Sequence, residues 1–309
     1  MAIPTAYNQA SSNKFKTWLL MGLFTVFVVT VAFVLTTALG YTGPEAFGFT
    51  TVFLLIAIVM NVSSFYFSDS IILAISQAKP IEKKDNQPLF RTVENVCIAA
   101  GLPTPRIYII DDSAPNAFAT GRDPSHAAVV FTSGILDKLD HLELEGVVAH
   151  ELSHVKNYDI RLMAAVTILV GLVALLADMF FRMMWFGGGR RDNNDRSGLG
   201  AILILIAVIL AILSPIIAQL IQLAVSRRRE LLADASGAVL TRNPEGLAEA
   251  LIKISADTEP LEAANKGTAH LYIANPFKEG HSGGVSWFAN LFNTHPPIEE
   301  RVKALRAMQ

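Results

Sequence analysis

The sequence predicts a mainly α-helical protein with a small β-sheet, an α+β fold in which several helices cross a membrane. Hydrophobic residues make up 52% of the 309 residues, and the mean hydropathy is positive. Long apolar runs account for much of this content, and a helix of about 20 residues spans a bilayer. Between the runs, helical periodicity is common and short β-branched segments predict strands. The long apolar runs cover 18–39, 47–67, 162–185 and 199–225.

The first two apolar runs predict a pair of membrane helices. Lys14 and Lys16 precede the first run, as in a secretory signal, but the apolar core of a signal peptide has only about 7 to 15 residues. The first run is longer and the second follows closely, so we expect an uncleaved anchor. The later hairpin is a less clear pair of spans, because Asp178 and Arg182 interrupt its first run and Pro215 lies in its second.

The placement of lysine and arginine predicts the orientation of the chain. The loop at 40–46 contains Glu45 and no basic residue, whereas Lys79, Lys83, Lys84 and Arg91 follow the second run. We therefore expect the N-terminus and the soluble part after the second run to be cytoplasmic. Arginines lie both in the loop of the hairpin and on its flanks. We prefer a hairpin that crosses the membrane, and one that stays in the inner leaflet or packs against the protein is the alternative.

The soluble segments predict short helices and strands around an edge strand. Asn116, Ala117, Phe118 and Ala119 predict that edge strand, to which an extended peptide can add through main-chain hydrogen bonds. A plain surface hairpin is the alternative. Residues 257–290 contain four glycines and little periodicity, which predicts a long mobile loop or lid. The other predicted elements are helices at 88–100 (closed by Gly101), 244–256 and the C-terminus, and strands at 106–110 and 127–131.

The pattern H-E-x-x-H at 150–154 is the clearest chemical signal in the chain. On an α-helix, positions i and i+4 share one face, so the two imidazoles can converge on one cation. Glu151 lies beside them and can hold a water for a hydrolytic reaction. Asp140 and Glu143 have capping-box spacing, which supports a helix over about 142–157. The arrangement is typical of a zinc hydrolase, and a surface helix with two solvated histidines is the alternative.

His150 and His154 need a third protein ligand, because catalytic zinc usually has three besides an open position for water. The chain lacks the downstream Gly and His of the metzincin pattern. Glu230, on a second predicted helix, is our candidate, and Asp234 one turn later can accept a hydrogen bond from a bound imidazole. An ordinary ion pair between Glu230 and the flanking arginines is the alternative. Weaker candidates for the third ligand are Glu143, Glu145 and Asp159.

Charge and composition exclude some other function classes. The H-E-x-x-H pattern has several charged neighbours, so we expect it outside the bilayer and not in an intramembrane protease. The net charge of −2 gives no electrostatic case for nucleic-acid binding. A non-catalytic metal-binding scaffold or transporter is the alternative class. It predicts polar residues along several spans, and the apolar runs contain no His or Cys for a metal path. The single cysteine, Cys97, excludes an intramolecular disulfide.

Four motifs together resemble the HtpX family of membrane zinc endopeptidases, at 116–121, 149–154, 230–234 and 294–297. The resemblance covers nearly the whole chain, and the chain is similar also to the CAAX prenyl proteases. It implies a gluzincin-type metalloprotease domain that faces the cytoplasm of the bacterial inner membrane. It also implies a role in protein quality control under stress, with polypeptide substrates that include membrane proteins, and a tendency to self-cleavage.

The resemblance also implies roles for individual residues. His150, His154 and Glu230 would bind one Zn²⁺ per chain, and Glu151 would be the catalytic base. His295 is a candidate for a second donor to the oxyanion. The alternative is that His295 only holds the C-terminal helix in place.

We expect four segments along the chain. These are two N-terminal transmembrane helices (1–70), the first part of the protease domain (71–160), the hydrophobic hairpin (161–225) and the second part of the protease domain (226–309).

Overall fold

The structure, a computed structural model, describes residues 6–38, 41–171, 226–265, 267–277 and 296–308. These residues are mostly helical with a small mixed sheet, as the sequence predicts. The helices are α1 (Ala6–Ala38), α2 (Pro44–Ile75), α3 (Gln87–Ala100), α4 (Ser133–Lys138), α5 (His141–Lys156), α6 (Arg227–Thr241), α7 (Pro244–Ala256) and α8 (Ile298–Arg306), and residues 159–171 are helical as well. The strands are β1 (Lys79–Pro80), β2 (Arg106–Ile110), β3 (Ala117–Gly121) and β4 (Ala127–Thr132).

Helices α1 and α2 pack against each other and leave large apolar side chains exposed along most of their length. Among the described residues, the segments long and apolar enough to cross a membrane are Gln9–Val34 and Pro44–Ile75. So large an exposed apolar surface is unfavourable in water. The other two predicted spans stay predictions, because 172–225 lies outside the described residues.

Polar side chains lie on the inner face of the α1–α2 pair. Asn61 is buried, and its Nδ2 donates to Thr25 Oγ1 at 2.7 Å and to the Met21 carbonyl at 3.3 Å. At the other end of α2, the carboxylate of Asp69 pairs with Arg106 at the start of β2. The pair is therefore apolar outside and hydrogen-bonded inside, and it is tied to the sheet.

The sheet has the strand order β1-β2-β4-β3, in which β2 and β4 are parallel and the other neighbours are antiparallel. The predicted edge position of β3 is confirmed. All five residues of β3 are buried, and β3 forms an antiparallel pair with β4 at this edge of the sheet. Part of this burial arises because the segment that contains Ile273 covers the edge at Ala117. The N–H of Ile273 donates to the Ala117 carbonyl at 2.9 Å. The addition of an extended peptide at this edge stays a prediction.

The described part of the predicted loop at 257–290 is largely irregular, as expected, but several of its residues are buried. Leu271, Tyr272 and Ile273 are buried, and the Tyr272 ring packs edge-to-face on Phe118 with 5.0 Å between centroids. The burial of these apolar side chains stabilises the fold by more free energy than the exposure of the neighbouring polar residues and glycines to solvent would. Residues 278–295, which include His295, lie outside the described residues.

Helix α5 begins where the capping box predicts. The Asp140 side chain accepts hydrogen bonds from the N–H groups of Leu142 and Glu143, and the Glu143 side chain accepts one from the Asp140 N–H. The helix then runs through the middle of the body, where it packs against α3, α6, α7 and β3. Residues 146–155 of the helix are all buried, so the polar residues among them must find partners inside the protein.

Two glycines allow the helices that surround α5 to approach closely. A Cβ on Gly146 would lie 2.8 Å from the backbone nitrogen of Leu247 in α7. A Cβ on Gly237 would lie 3.2 Å from the backbone nitrogen of His150. The second contact brings α6 directly against the turn of α5 that carries the H-E-x-x-H pattern.

The remaining predicted elements of the soluble body are confirmed with small shifts at their ends. Helix α3 ends at Gly101, whose φ of 68° is the left-handed conformation favoured by glycine at a helix end. Cys97 is buried in the main apolar cluster.

Candidate metal centre

Helix α5 brings two imidazoles together inside the body. The Nε2 atoms of His150 and His154 are 3.2 Å apart, and both residues are buried. This follows from the i, i+4 spacing on one helical face. The alternative of two solvated histidines on a surface helix is wrong.

Helix α6 adds a carboxylate to the same point. Glu230 Oε1 lies 3.5 Å from His154 Nε2, and its Oε2 lies 3.8 Å from His150 Nε2. One donor atom from each of the three residues lies within 4.8 Å of the others. Ligands bound at about 2.1 Å around a tetrahedral zinc are about 3.4 Å apart, so these spacings fit such an ion. His150, His154 and Glu230 could therefore hold a metal.

A carboxylate binds each histidine at Nδ1, on the side of the ring away from Nε2. His150 Nδ1 lies 2.9 Å from Asp234 Oδ1, and His154 Nδ1 lies 3.0 Å from Asp159 Oδ2. A carboxylate at Nδ1 keeps the proton there and leaves the Nε2 lone pair for a cation. Asp159, one of the weaker candidates for the third ligand, is on the far side of the ring from the three converging donors.

The other two weaker candidates are also placed elsewhere. Glu143 lies at the start of α5, where it accepts hydrogen bonds from the Asp140 N–H and from Lys253 Nζ of α7. Glu145 is half-buried on the same turn. Among the described residues, neither belongs to the group of side chains that could hold a metal.

The carboxylates at the histidines have partners of their own, which sequence reasoning missed. Arg301 of α8 is fully buried and binds Asp234 through Nε at 2.8 Å and through a terminal nitrogen at 2.7 Å. Asn13 of α1 donates from Nδ2 to Asp159 Oδ1 at 2.6 Å. Both partners are far away in the chain, and no local pattern in the sequence distinguishes them from other polar residues.

Glu151 is buried on the same helix, beside the three converging donors. Burial raises the pKa of Glu151 to about 7, and the negative charge of Glu230 adds to this, while His154, Arg301 and a hydrogen bond from the Ala119 N–H act in the opposite direction. The Ala119 N–H also places the edge strand β3 next to this carboxylate. A pKa near neutrality suits a group that must both take and give up a proton.

The ionisation of the neighbouring groups follows from the same burial and pairing. Burial alone would lower the pKa of His154, but the hydrogen bond to Asp159 and the charge of Glu230 raise it to about 9. Burial would raise the pKa of Asp234, but Arg301 and His150 lower it to about 2. Burial lowers the pKa of His150 despite its bond to Asp234. A cation at the three donors would have to displace the proton of His154, since a liganding imidazole is neutral.

The four predicted edge-strand residues have different surroundings. Ala119 lies close to Glu151, whereas Phe118 packs on Tyr272. Asn116 is buried, and its Nδ2 donates to the Ala274 carbonyl at 3.1 Å. The Ala117 carbonyl accepts from Ile273.

Comparison with known proteins shows the class of this protein. The chain is 45% identical over 304 residues to the Protease HtpX homolog of Dictyoglomus thermophilum, which covers 98% of this chain and 95% of that protein. It is 44% identical over 309 residues to the Protease HtpX homolog of Ligilactobacillus salivarius, with coverage of 98% and 99%. Together with the two apolar helices and the buried donor set, this identity defines a membrane-bound metallopeptidase.

The family follows from a second comparison. Residues 83–309 match peptidase family M48, and the chain belongs to that family. The resemblance to HtpX predicted from the motifs is confirmed, and the interpretation as a non-catalytic scaffold or transporter is set aside. A crystal structure of S. mikatae Ste24p is similar at 16% identity, with a TM-score of 0.48 and coverage of 94% of this chain and 67% of that one.

Proposed function

We propose that this chain is a zinc-dependent endopeptidase of the bacterial inner membrane, with its active site on the cytoplasmic side. The observation that carries the proposal is the convergence of His150, His154 and Glu230 beside the buried carboxylate of Glu151. In this proposal, the first three residues are the metal ligands and Glu151 is the catalytic base. Zinc is our choice of ion because two imidazoles and a carboxylate form a donor set common in catalytic zinc sites.

When bound, the zinc ion lowers the pKa of a water toward about 7 and polarises the carbonyl of the scissile peptide bond. Glu151 accepts a proton from the attacking water at its carboxylate and later gives it to the leaving amine. Asp234 and Asp159 hold the Nδ1 protons, so both imidazoles keep their orientation during the reaction.

We propose that the substrate binds as an extended strand along the 116–119 edge. Ala119 lies next to Glu151, so a strand added there would pass the base. Because the Ala117 carbonyl is bonded to Ile273, the added strand would use the part of β3 nearest to Glu151. His295 stays our candidate for the second donor to the oxyanion.

The proposed topology follows from contacts and from charge. Asn13, near the start of α1, contacts Asn157 at the end of α5, so the start of α1 and the peptidase body lie on the same side of the membrane. The basic residues after α2 then favour the cytoplasm. We propose the four segments 1–70, 71–160, 161–225 and 226–309, with a hairpin at 161–225 that crosses the membrane. An active site so close to the bilayer suits membrane proteins and misfolded chains as substrates.

A topology experiment can test this orientation. Alkaline phosphatase fused in the loop after Tyr41 should be active, because the enzyme folds only outside the cytoplasm, whereas a fusion after Asp85 should be inactive. The reverse pattern would contradict the cytoplasmic active site.

Glu151→Gln should remove peptidase activity and keep the metal. The amide cannot accept the proton from water, so kcat should fall by about 10²- to 10⁴-fold, while His150, His154 and Glu230 still provide their donors. The measurement is a peptide-cleavage assay on the purified full chain in detergent, combined with metal analysis. Activity close to that of the original protein would remove Glu151 from the role of base.

Glu230→Ala should reduce zinc affinity by more than the roughly 10- to 100-fold that the loss of an outer hydrogen-bond partner costs. A ligand atom is lost, and two imidazoles alone bind zinc weakly. Glu145 is a half-buried carboxylate on α5, and Glu145→Ala is the matched control. This variant should leave zinc affinity unchanged. Full zinc occupancy of the Glu230 variant would reassign the third ligand.

A further inference from the structure

We infer that Asn13 of the first membrane helix is a positioning residue of the metal centre, because its side-chain amide holds Asp159 in place against His154. The inference rests on the proposed role of His154 as a ligand. It extends the active site to a residue on α1, which lies outside the segment that matches the peptidase family, since that match begins at residue 83.

The amide of Asn13 reaches two acceptors at the end of α5. Its Nδ2 donates to the Asn157 carbonyl at 2.9 Å and to Asp159 Oδ1 at 2.6 Å. Asn13 is fully buried, and its two partners are nearly so. The orientation of the amide follows from this geometry, because a reversed amide would place its oxygen against two other oxygens. Nδ2 therefore uses both of its hydrogens on the turn that follows the H-E-x-x-H helix.

Asp159 transmits this contact to the metal centre. One of its carboxylate oxygens accepts from Asn13, and the other lies 3.0 Å from His154 Nδ1. Arg229 also approaches the first oxygen, but at 3.7 Å. Asn13 therefore makes the closer contact to that oxygen, and the rotation of the carboxylate that aligns the His154 ring depends on it.

The turn between α5 and Asp159 needs support from outside. Tyr158 has a φ of 57°, a left-handed conformation that is unfavourable for a residue with a bulky side chain. Two residues of helix α1 contact this turn. Lys14 Nζ lies 3.9 Å from the centroid of the Tyr158 ring, and Asn13 binds Asn157 and Asp159 on either side of Tyr158. The start of α1 thus holds the backbone conformation that presents Asp159 to His154.

The other histidine is held in the same manner from within the peptidase body. His150 is bonded to Asp234, which Arg301 binds with two nitrogens. For His154 the hydrogen-bond donor to the carboxylate comes from a membrane helix, and Arg229 of α6 adds an ion pair at 3.7 Å. Full alignment of His154 should therefore require that α1 be docked on the body.

The test compares Asn13→Ala with Asn13→Asp in the full chain, purified in detergent in the Glu151→Gln background so that self-cleavage does not interfere. Zinc affinity is measured by competition with a chelator, and the absorption spectrum of the cobalt-loaded protein reports ligand geometry. We expect Asn13→Ala to lower zinc affinity by about 10-fold. Asn13→Asp has the same size but places an oxygen against Asp159, so the loss should be larger, up to about 100-fold, with a changed cobalt spectrum.

A packing role alone gives the opposite order, because Asn13→Asp would fill the space that Asn13→Ala leaves empty. Asn61→Ala is the matched control. It also removes a buried amide from the α1–α2 pair, but its contacts are Thr25 and Met21. Its zinc affinity and cobalt spectrum should not change. An unchanged zinc affinity in both Asn13 variants, or a greater loss in Asn13→Ala, would overturn the inference.

An exchange of the two side chains keeps the test decisive if Asn13→Asp folds poorly. In the double variant Asn13→Asp with Asp159→Asn, the amide at 159 can donate to the new carboxylate while its oxygen still accepts from His154. Zinc affinity should recover in part relative to either single variant, and a lack of recovery would count against the contact. His154→Ala is measured in parallel. If it binds zinc as tightly as the original protein, the proposed ligand set fails, whatever the Asn13 variants show.

Discussion

The α1–α2 pair and the peptidase body place polar groups inside for different reasons. In the pair, large apolar residues face outward, and the buried polar contact of Asn61 with Thr25 is neutral. In the body, apolar residues face inward, yet α5 contains a buried cluster of ionisable groups, each held by another. Among the described residues, the most deeply buried charged side chains lie where a cation can bind, whereas Asp69 and Glu143, which are less completely buried, form ion pairs elsewhere.

Arg301→Ala should destabilise the body strongly. Arg301 is fully buried against Asp234, and removal of one partner from a buried ion pair costs about 3–5 kcal/mol. Zinc affinity should fall as well, by roughly 10- to 100-fold, because Asp234 would no longer be held against His150. Thermal unfolding and chelator competition measure the two effects.

Arg306→Ala is the matched control for this change. Arg306 is on the same helix and pairs with Glu245 and Glu249, but it is exposed. Its unfolding temperature should stay close to that of the original protein. Equal effects of the two arginines would show that the buried cluster is not special.

Leu55→Arg should impair membrane insertion, whereas Val239→Arg should be tolerated. Both side chains are exposed, at 58% and 68%, but Leu55 is in the middle of α2 and Val239 is on the surface of α6. An arginine at the centre of a membrane helix costs about 2.5–3.5 kcal/mol for insertion, and a surface substitution in water changes stability by less than about 0.5 kcal/mol. The measurement is the membrane-integrated fraction after carbonate extraction. Similar integration of both variants would mean that the outer face of α2 does not contact lipid.

Cys97 should resist alkylation in the folded protein. Burial, with a contribution from the charge of Glu94, raises the pKa of the Cys97 thiol to about 11, so very little thiolate forms at pH 8. The direction of this effect follows because a raised thiol pKa lowers the thiolate fraction at any pH below that pKa. Mass spectrometry after treatment with iodoacetamide should show modification only when denaturant is added. Rapid labelling without denaturant would show that this part of the body opens easily.

Much of the fold could be predicted because the signals are local. The capping box of Asp140 and Glu143 and the closing Gly101 involve neighbours within one turn, so their physics is contained in a few adjacent residues. The sequence does not predict the burial within the loop at 257–277, because Gly267 and the polar residues there are local signals for an exposed loop. The burial of Tyr272 against Phe118 depends on a partner more than a hundred residues away, and no short window contains it.

The candidate site divides in the same way. The i, i+4 spacing of His150 and His154 and the base between them are properties of one helix, and Glu230 with Asp234 have that spacing on another. Asn13 and Arg301 carry no such pattern. They hold the two histidines through Asp159 and Asp234 only because α1 and α8 pack against the body.

The order of residues alone shows which side chains could ligate a metal, which one could move a proton and which helices are too apolar for water. Those properties depend on side-chain chemistry and on the helical repeat. Only the tertiary structure decided that three donors from two helices meet within 4.8 Å and that a membrane helix supports one of them. The physical reason is that hydrogen bonds and ion pairs act over a few ångströms, whereas their partners here are separated by dozens of residues along the chain.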